Sequence, residues 1–157
     1  MTNSTTMHEE PLNEAFFAEV MGLVEDHWIE CAGWRDTIPL APDIARYILL
    51  HSVGQARAFV LRSKGIMVGY ITVLTTPNLH YMNSVFAYVD TVFIHESHRK
   101  GLTGVMFMRW VENEMRTHGV SIMSYHVKVA HDYPAIFKRL GYTPTEVIYA
   151  KDIRGVK

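Results

Sequence analysis

The stretch Ile94-His95-Glu96-Ser97-His98-Arg99-Lys100-Gly101-Leu102-Thr103-Gly104 constrains this chain most, because it joins an apolar strand-like run to a helix-like run through a basic, glycine-containing turn. That is the chemistry of a phosphate cradle. Glycines let backbone N–H groups converge on an anion, and the first turn of the following helix leaves its N–H groups unpaired at the positive end of the helix dipole. Arg99 and Lys100 are expected to add full charges at the rim. A Walker A loop needs Lys-Ser/Thr directly after its second glycine, but Gly104 is followed by Val105 and Met106, which argues against a nucleoside triphosphatase. A dinucleotide fingerprint needs GxGxxG and an acidic residue near the tip of the next strand; this chain offers GxxG and a next strand expected to end near Lys128. By itself, Gly101-Leu102-Thr103-Gly104 also fits an ordinary strand-to-helix turn.

The 157 residues are the size of one domain. Fifteen Lys plus Arg against sixteen Asp plus Glu leave a formal charge of −1, so no global field draws nucleic acid or an anionic membrane, and any anion site must be local. The single Cys31 suits a reducing compartment, and no apolar run approaches the roughly 20 residues that span a bilayer. A cytoplasmic protein is therefore expected, with a polar, flexible segment over residues 1–10 and one domain over 11–157.

Apolar residues at Phe16, Val20, Leu23, Val24, Trp28 and Cys31 have the spacing of one helical face, and Asp43 is placed to cap a second, short helix carrying Ile44, Tyr47 and Ile48. Ala56 to Arg62, Ile66 to Thr75 and Ser84 to Ile94 read as strands, the first two joined by a Ser63-Lys64-Gly65 hairpin turn. Leu102 to His118 reads as a helix, Val120 to Lys128 as a strand, Tyr133 to Leu140 as a short helix and Thr145 to Lys151 as a last strand. This order predicts an α+β domain with a mixed sheet.

That order, taken with the basic glycine turn and a closing Ala135-Ile136-Phe137-Lys138-Arg139-Leu140-Gly141-Tyr142 run, resembles the GNAT superfamily of acyl-CoA-dependent N-acetyltransferases over roughly Phe16 to Lys151. The His-Arg-Lys-Gly-Leu-Thr-Gly, His-Val-Lys and Arg-Leu-Gly-Tyr runs are similar to those of small members commonly encoded by phages and prophages. The resemblance implies α/β/α layers: a mixed, mostly antiparallel central sheet flanked by about four helices. It also implies acetyl-CoA as cofactor and direct attack of a primary amine, of a small molecule or a protein, on the acetyl thioester. The family turn follows Arg/Gln-x-x-Gly-x-Gly/Ala. Aligning Arg99 recovers Gly104 but puts Leu102 in the middle glycine slot; aligning His98 recovers Gly101 but leaves Thr103 in the last slot.

By this resemblance Val92, Phe93, Ile94, His98, Arg99, Lys100, Gly101, Leu102, Thr103, Gly104 and Phe137 line the cofactor, with a main-chain N–H near Phe93 or Ile94 polarising the thioester carbonyl. Phe137 occupies the slot where many members carry the tyrosine that protonates the departing thiolate, and Tyr133 is the candidate to replace it. Asp90, expected on the face of Ile94 by strand alternation, and His126, an imidazole suited to proton relay, are the candidate bases; each also fits a plain structural role, as a hydrogen-bond anchor or a packed strand histidine. His80 and Tyr81 are candidates for the amine pocket. His95-x-x-His98 lacks a Cys pair and has basic neighbours, which argues against a metal site. The irregular glycine spacing and Phe137 also carry a second reading, a catalytically degenerate member that binds coenzyme A or a host protein without acetyl transfer. An exposed last strand would offer an edge for a homodimer.

Overall fold

The computed structural model describes residues 5–31, 33–34, 36–128 and 134–154. Five strands form one sheet in the order β1 (Thr5–Glu10), β2 (Ala56–Ser63), β3 (Ile66–Asn78), β4 (Tyr81–Ile94), β5 (Val120–Tyr125). β1 to β4 pair antiparallel, and β5 lies parallel to β4 after the crossover through α3 (Thr103–Thr117). α1 (Glu14–Cys31) and α2 (Ile44–Ser52) cover one face, and α3 and α4 (Pro134–Leu140) cover the other, giving the expected α/β/α layers.

The helices form where apolar spacing and caps agree. Asn13 Oδ1 accepts from the Phe16 N–H at 2.9 Å to open α1, and Asp43 Oδ1 accepts from the Arg46 N–H at 3.0 Å to open α2. Phe16, Phe17 and Val20 of α1 are buried against Ala58, Val60, Met67, Tyr70 and Phe93, each burial contributing about 2 kcal/mol. On the opposite face Phe107, Met108, Val111 and Met115 of α3 pack on Phe59, Ile71, Val73, Ala87, Val89 and Ile94.

Two expectations are corrected. Thr5–Glu10 is not a flexible tail: it is β1, in register with β2 from Thr5↔Ser63 to Glu10↔Ala58. Its charges, which look solvated in sequence, are matched across the fold. Arg62 grips Glu10 at 2.7 Å and Glu19 of α1 at 2.7 Å, while Glu9 meets Arg57 at 2.7 Å and His118 at 2.9 Å. Thr145–Lys151, expected as a last strand, has no strand pairing, and Val147, Ile148 and Tyr149 are exposed. Their β-rich composition reports only how well side chains suit a half-buried sheet surface, and here that surface is not provided.

One irregularity positions everything that follows. Along β3 and β4 the register runs Thr72↔Thr91 and then Val73↔Val89, so Asp90 is an extra, bulged residue. A bulge reverses which face the following residues address. Ala87 and Val89 face α3, yet beyond the bulge it is Ile94 that packs toward α3 and Phe93 that packs toward α1. Asp90 therefore does not share a face with Ile94, as plain alternation predicts; its side chain lies on the α2 side, against Tyr47.

Candidate active site

The parallel pairing of β4 and β5 runs from Val85↔Val120 to Val89↔Tyr125 and stops. β5 ends at Tyr125, while β4 continues through Asp90–Ile94, so among the described residues no strand pairs with the upper half of β4 on that side and a gap opens there. The direction of the main-chain groups there follows from one bond. The His95 N–H donates to the Val68 carbonyl at 2.8 Å, and alternation along an antiparallel pair then commits the Phe93 N–H to β3 while the Val92 and Ile94 N–H groups point away from it, into the gap. Arg99 Nε, which donates to the Ile94 carbonyl from that open side, agrees with this assignment. Of the two expected polarising positions, Ile94 keeps its N–H available and Phe93 does not. Gly69 makes this approach of β3 to β4 workable, since a Cβ there would lie 2.8 Å from the Phe93 carbonyl oxygen.

Above the gap the chain passes through one turn of 3-10 helix (Glu96–His98) and the Arg99–Leu102 turn into α3. Gly101 sits at φ +60°, which only glycine adopts without strain. The N–H groups of Lys100, Gly101, Leu102, Gly104 and Val105 have no acceptor among the described residues, whereas those of Arg99 and Thr103 are spent within the turn. This is a run of free donors at the start of a 15-residue helix, suited to a diphosphate. The side chains divide differently from expectation. The Arg99 guanidinium is not free at the rim: it pairs with both Glu30 oxygens at 2.7 and 2.9 Å and lies 5.3 Å over the Phe93 ring. Arg99 thus ties the turn to α1, and Lys100, exposed, is left as the free cation of the turn among the described residues. His98 is bridged through Ser97 Oγ, at 2.9 Å, to His95.

Asp90 is held by hydroxyls. Tyr47 Oη and Thr72 Oγ1 both donate to Asp90 Oδ2, the latter at 3.3 Å, and Thr72 also bonds Thr91 at 2.6 Å. Oδ1 has no partner among the described residues, so the carboxylate is clamped at one oxygen and open at the other. Burial first, then the hydrogen bond to Asp90, pushes the Tyr47 phenol far above its ordinary range and keeps it a donor. Beside this group His27 Nδ1 bonds Tyr70 Oη at 2.6 Å, and its ring stacks on Phe93 at 5.1 Å. Burial holds the His27 imidazole below its usual pKa and burial raises the Tyr70 phenol. His126, just past β5, stacks on Tyr88 at 5.3 Å and is exposed. Ala87 and Val89 face α3, so Tyr88 and Asp90 share the opposite face of β4, and His126 borders that face through Tyr88.

Not every candidate joins it. His80 and Tyr81 lie at the β3–β4 turn, with Tyr81 stacked on Phe86 at 5.9 Å; Asp90 is nine residues further along β4, about 30 Å for an extended strand. Tyr133 lies outside the described residues. Phe137 packs on Tyr125 and Tyr142 at the α3–α4 side of the gap. A cleft of about 190 Å³ between α1 and the end of β4 is lined by Asp26, Glu30, Phe93, His95 and Glu96. The larger cleft, about 270 Å³, lies at the far end of β5 around Arg116, Ser121 and Gly141 and contains none of the candidates. Residue types alone pass over Tyr47, Tyr70 and Thr72. The available signal was a tyrosine on the core-facing side of a short helix, since a buried phenol needs a partner for its hydroxyl.

No family model and no curated protein matches this sequence. Solved structures do. An aminoglycoside acetyltransferase from an uncultured soil metagenomic sample, in complex with sisomicin, is 15% identical over 98% of this chain and 97% of its own, with a TM-score of 0.71. The ribosomal-protein-alanine N-acetyltransferase of Brucella melitensis biovar Abortus 2308 is 16% identical over 97% and 99%, with a TM-score of 0.74. A predicted acetyltransferase from Clostridium acetobutylicum, solved with acetyl-CoA, is 8% identical over 96% and 97%, with a TM-score of 0.71. These neighbours lend no support to a phage-type subgroup. At such identities the likeness speaks for architecture, and with the bulged β4, the parting of β4 from β5 and the glycine turn into α3, it shows that this chain has the fold of the GNAT N-acetyltransferases.

Proposed function

We propose that the protein transfers an acetyl group from acetyl-CoA to a primary amine of a small molecule or a protein by direct attack. The observation that carries this reading is the gap beside β4: Val92 and Ile94 turn N–H groups into it, five amides without an acceptor among the described residues follow in the turn beyond it, and Asp90, with one carboxylate oxygen open, stands at its start. Acetyl-CoA would supply the activated acyl carbon. The residues present fit it in two places: the amides of Lys100, Gly101, Leu102, Gly104 and Val105 with the Lys100 charge suit its diphosphate, and the Val92 and Ile94 N–H groups suit a carbonyl oxygen that gains charge during attack. They do not supply a hydroxyl at Phe137.

The helper that matters most is a base. An alkylammonium of pKa about 10.4 is neutral only about once in several thousand near pH 7, roughly 4 to 5 kcal/mol against attack. Asp90 is suited to this work, because Tyr47 and Thr72 fix its orientation through Oδ2 and leave Oδ1 to hold the ammonium and accept its proton. His126, exposed beside Tyr88, is suited to pass that proton to water. Asp26 and Glu96 beside the smaller cleft favour a cationic acceptor on the α1 side.

Calorimetry with acetyl-CoA, followed by thiol-release assays across a panel of aminoglycosides, polyamines and peptide N-termini, tests the proposal. Micromolar binding with amine-dependent thiol release is expected. No binding at near-millimolar acetyl-CoA overturns it, and tight binding with no release for any amine replaces it with the binding-only reading.

A further inference from the structure

Arg99 makes contacts that a role as an anion ligand does not require. Its Nε donates to the Ile94 carbonyl, its Nη2 meets both Glu30 oxygens at 2.9 and 2.7 Å, and its guanidinium carbon lies 5.3 Å over the Phe93 ring. The side chain therefore folds back over the tip of the strand from which its own turn departs, with the cation on β4 and the carboxylate on α1. The Ile94 carbonyl gives this orientation a consequence. A strand residue sends its N–H and its C=O out along the same edge, so that carbonyl oxygen shares the gap with the Ile94 N–H. Left bare, it turns the negative end of a peptide dipole toward the place where a thioester oxygen gains charge during attack. A charge-assisted hydrogen bond from Arg99 occupies it and brings positive charge to the same side.

We propose that Arg99 is a positioning residue acting through Ile94: it caps the Ile94 carbonyl so that the tip of β4 faces the thioester as a donor, and Glu30 and Phe93 hold the guanidinium in place. The proposal rests on the acetyl-transfer reading above. It departs from the role expected of Arg99 by its place in the glycine turn, which is to meet the diphosphate. Holding is needed because both side chains are partly exposed, 40% for Arg99 and 34% for Glu30, and an arginine left free samples many rotamers. Lysine is no substitute, since an ammonium lacks the planar fork that lets one group bond a carbonyl, grip a carboxylate and stack on a ring. Arg99 Nη1 has no acceptor among the described residues, so contact with a phosphate is the rival role. The two roles predict opposite signs at Glu30.

The test measures acetyl-CoA binding by calorimetry, and the infrared stretch of its isotope-labelled thioester carbonyl, on the full chain and on its Glu30→Ala, Arg99→Gln and Arg99→Lys variants. Neither measurement needs an acceptor amine. In the unaltered protein the stretch is expected at lower frequency than in free acetyl-CoA. Glu30→Ala and Arg99→Gln are each expected to lose about half of that shift, with affinity for acetyl-CoA within about threefold. Arg99→Lys, which keeps the charge, is expected to lose it too, and Glu30→Ala combined with Arg99→Gln should lose no more than Arg99→Gln alone. If Arg99 serves a phosphate instead, Glu30→Ala frees it and tightens acetyl-CoA binding, Arg99→Gln weakens binding about tenfold, and the stretch does not move; that result overturns the proposal. An unshifted stretch in the unaltered protein, or a full shift surviving in Glu30→Ala, overturns it as well. Glu30 is a partly exposed helix residue, so its variant keeps the test decisive where Arg99→Gln fails to fold. If acetyl-CoA at near-millimolar concentration does not bind the unaltered protein, the cofactor reading falls and this inference with it. If it binds and the shifts follow expectation but no amine is acetylated, transfer falls while the capping role of Arg99 stands.

Discussion

The two faces of the upper β4 strand handle polarity in opposite ways. Toward α1 and α2 the polar groups answer one another: Tyr47 and Thr72 hold Asp90, Thr72 holds Thr91, and His27 holds Tyr70. Toward α3 and α4 the surroundings are apolar and aromatic, and the buried Tyr125 hydroxyl has no hydrogen-bond partner among the described residues. The contrast teaches where each half of a transfer reaction would be governed. A matched network fixes geometry before an acceptor arrives, while an apolar wall offers shape and few directed contacts.

The largest expected effect sharpens this division. Asp90→Asn keeps an oxygen for Tyr47 but removes the proton acceptor, and kcat is expected to fall about 10²- to 10⁴-fold with acetyl-CoA affinity within twofold. A matching loss of affinity, measured by calorimetry, would break the separation of the faces. Next, Gly101→Val places a branched side chain at φ +60°, a strain of about 1–2 kcal/mol at the turn. Acetyl-CoA is expected to bind about tenfold more weakly, with little change in kcat at saturating cofactor. Smaller again, Thr72→Val removes one of the two hydroxyls on Asp90, and kcat is expected to drop roughly fivefold, about 1 kcal/mol, without a change in cofactor affinity.

The smallest effect concerns pH. Burial lowers the folded pKa of His27 below the unfolded value of about 6.5, so between the two the unfolded chain binds more protons. Stability from this group is full above about pH 6.5 and is lost as pH falls through the folded pKa, by at most about 1.4 kcal/mol per pH unit. His27→Gln, which can still meet Tyr70, is expected to flatten the dependence of melting temperature on pH below 6.5. An unchanged slope would assign the acid sensitivity elsewhere.

Much of the architecture was legible. The glycine turn, the helical spacing around Phe16 and Val20, and the Ser63-Lys64-Gly65 hairpin each carry their own local signal, and the fold follows from them. What stayed hidden depends on contacts between distant residues. The charges of Glu9 and Glu10 look like a solvated tail until Arg57, Arg62 and His118 stand beside them. Arg99 reads as an anion ligand until Glu30, on a helix some seventy positions earlier, takes its guanidinium. Thr145–Lys151 has strand composition but no strand beside it among the described residues. Asp90 was visible as a carboxylate in an apolar strand, yet the face it serves was misread, because periodicity has no signature for a residue that opts out of it.

That opting-out residue confines the consequence of shortening β4 to itself. With Asp90 deleted, Val89 and Thr91 become consecutive, strict alternation resumes, and Phe93 and Ile94 keep their present destinations toward α1 and α3. The strand tip stays right side out, and the loss falls on a single carboxylate.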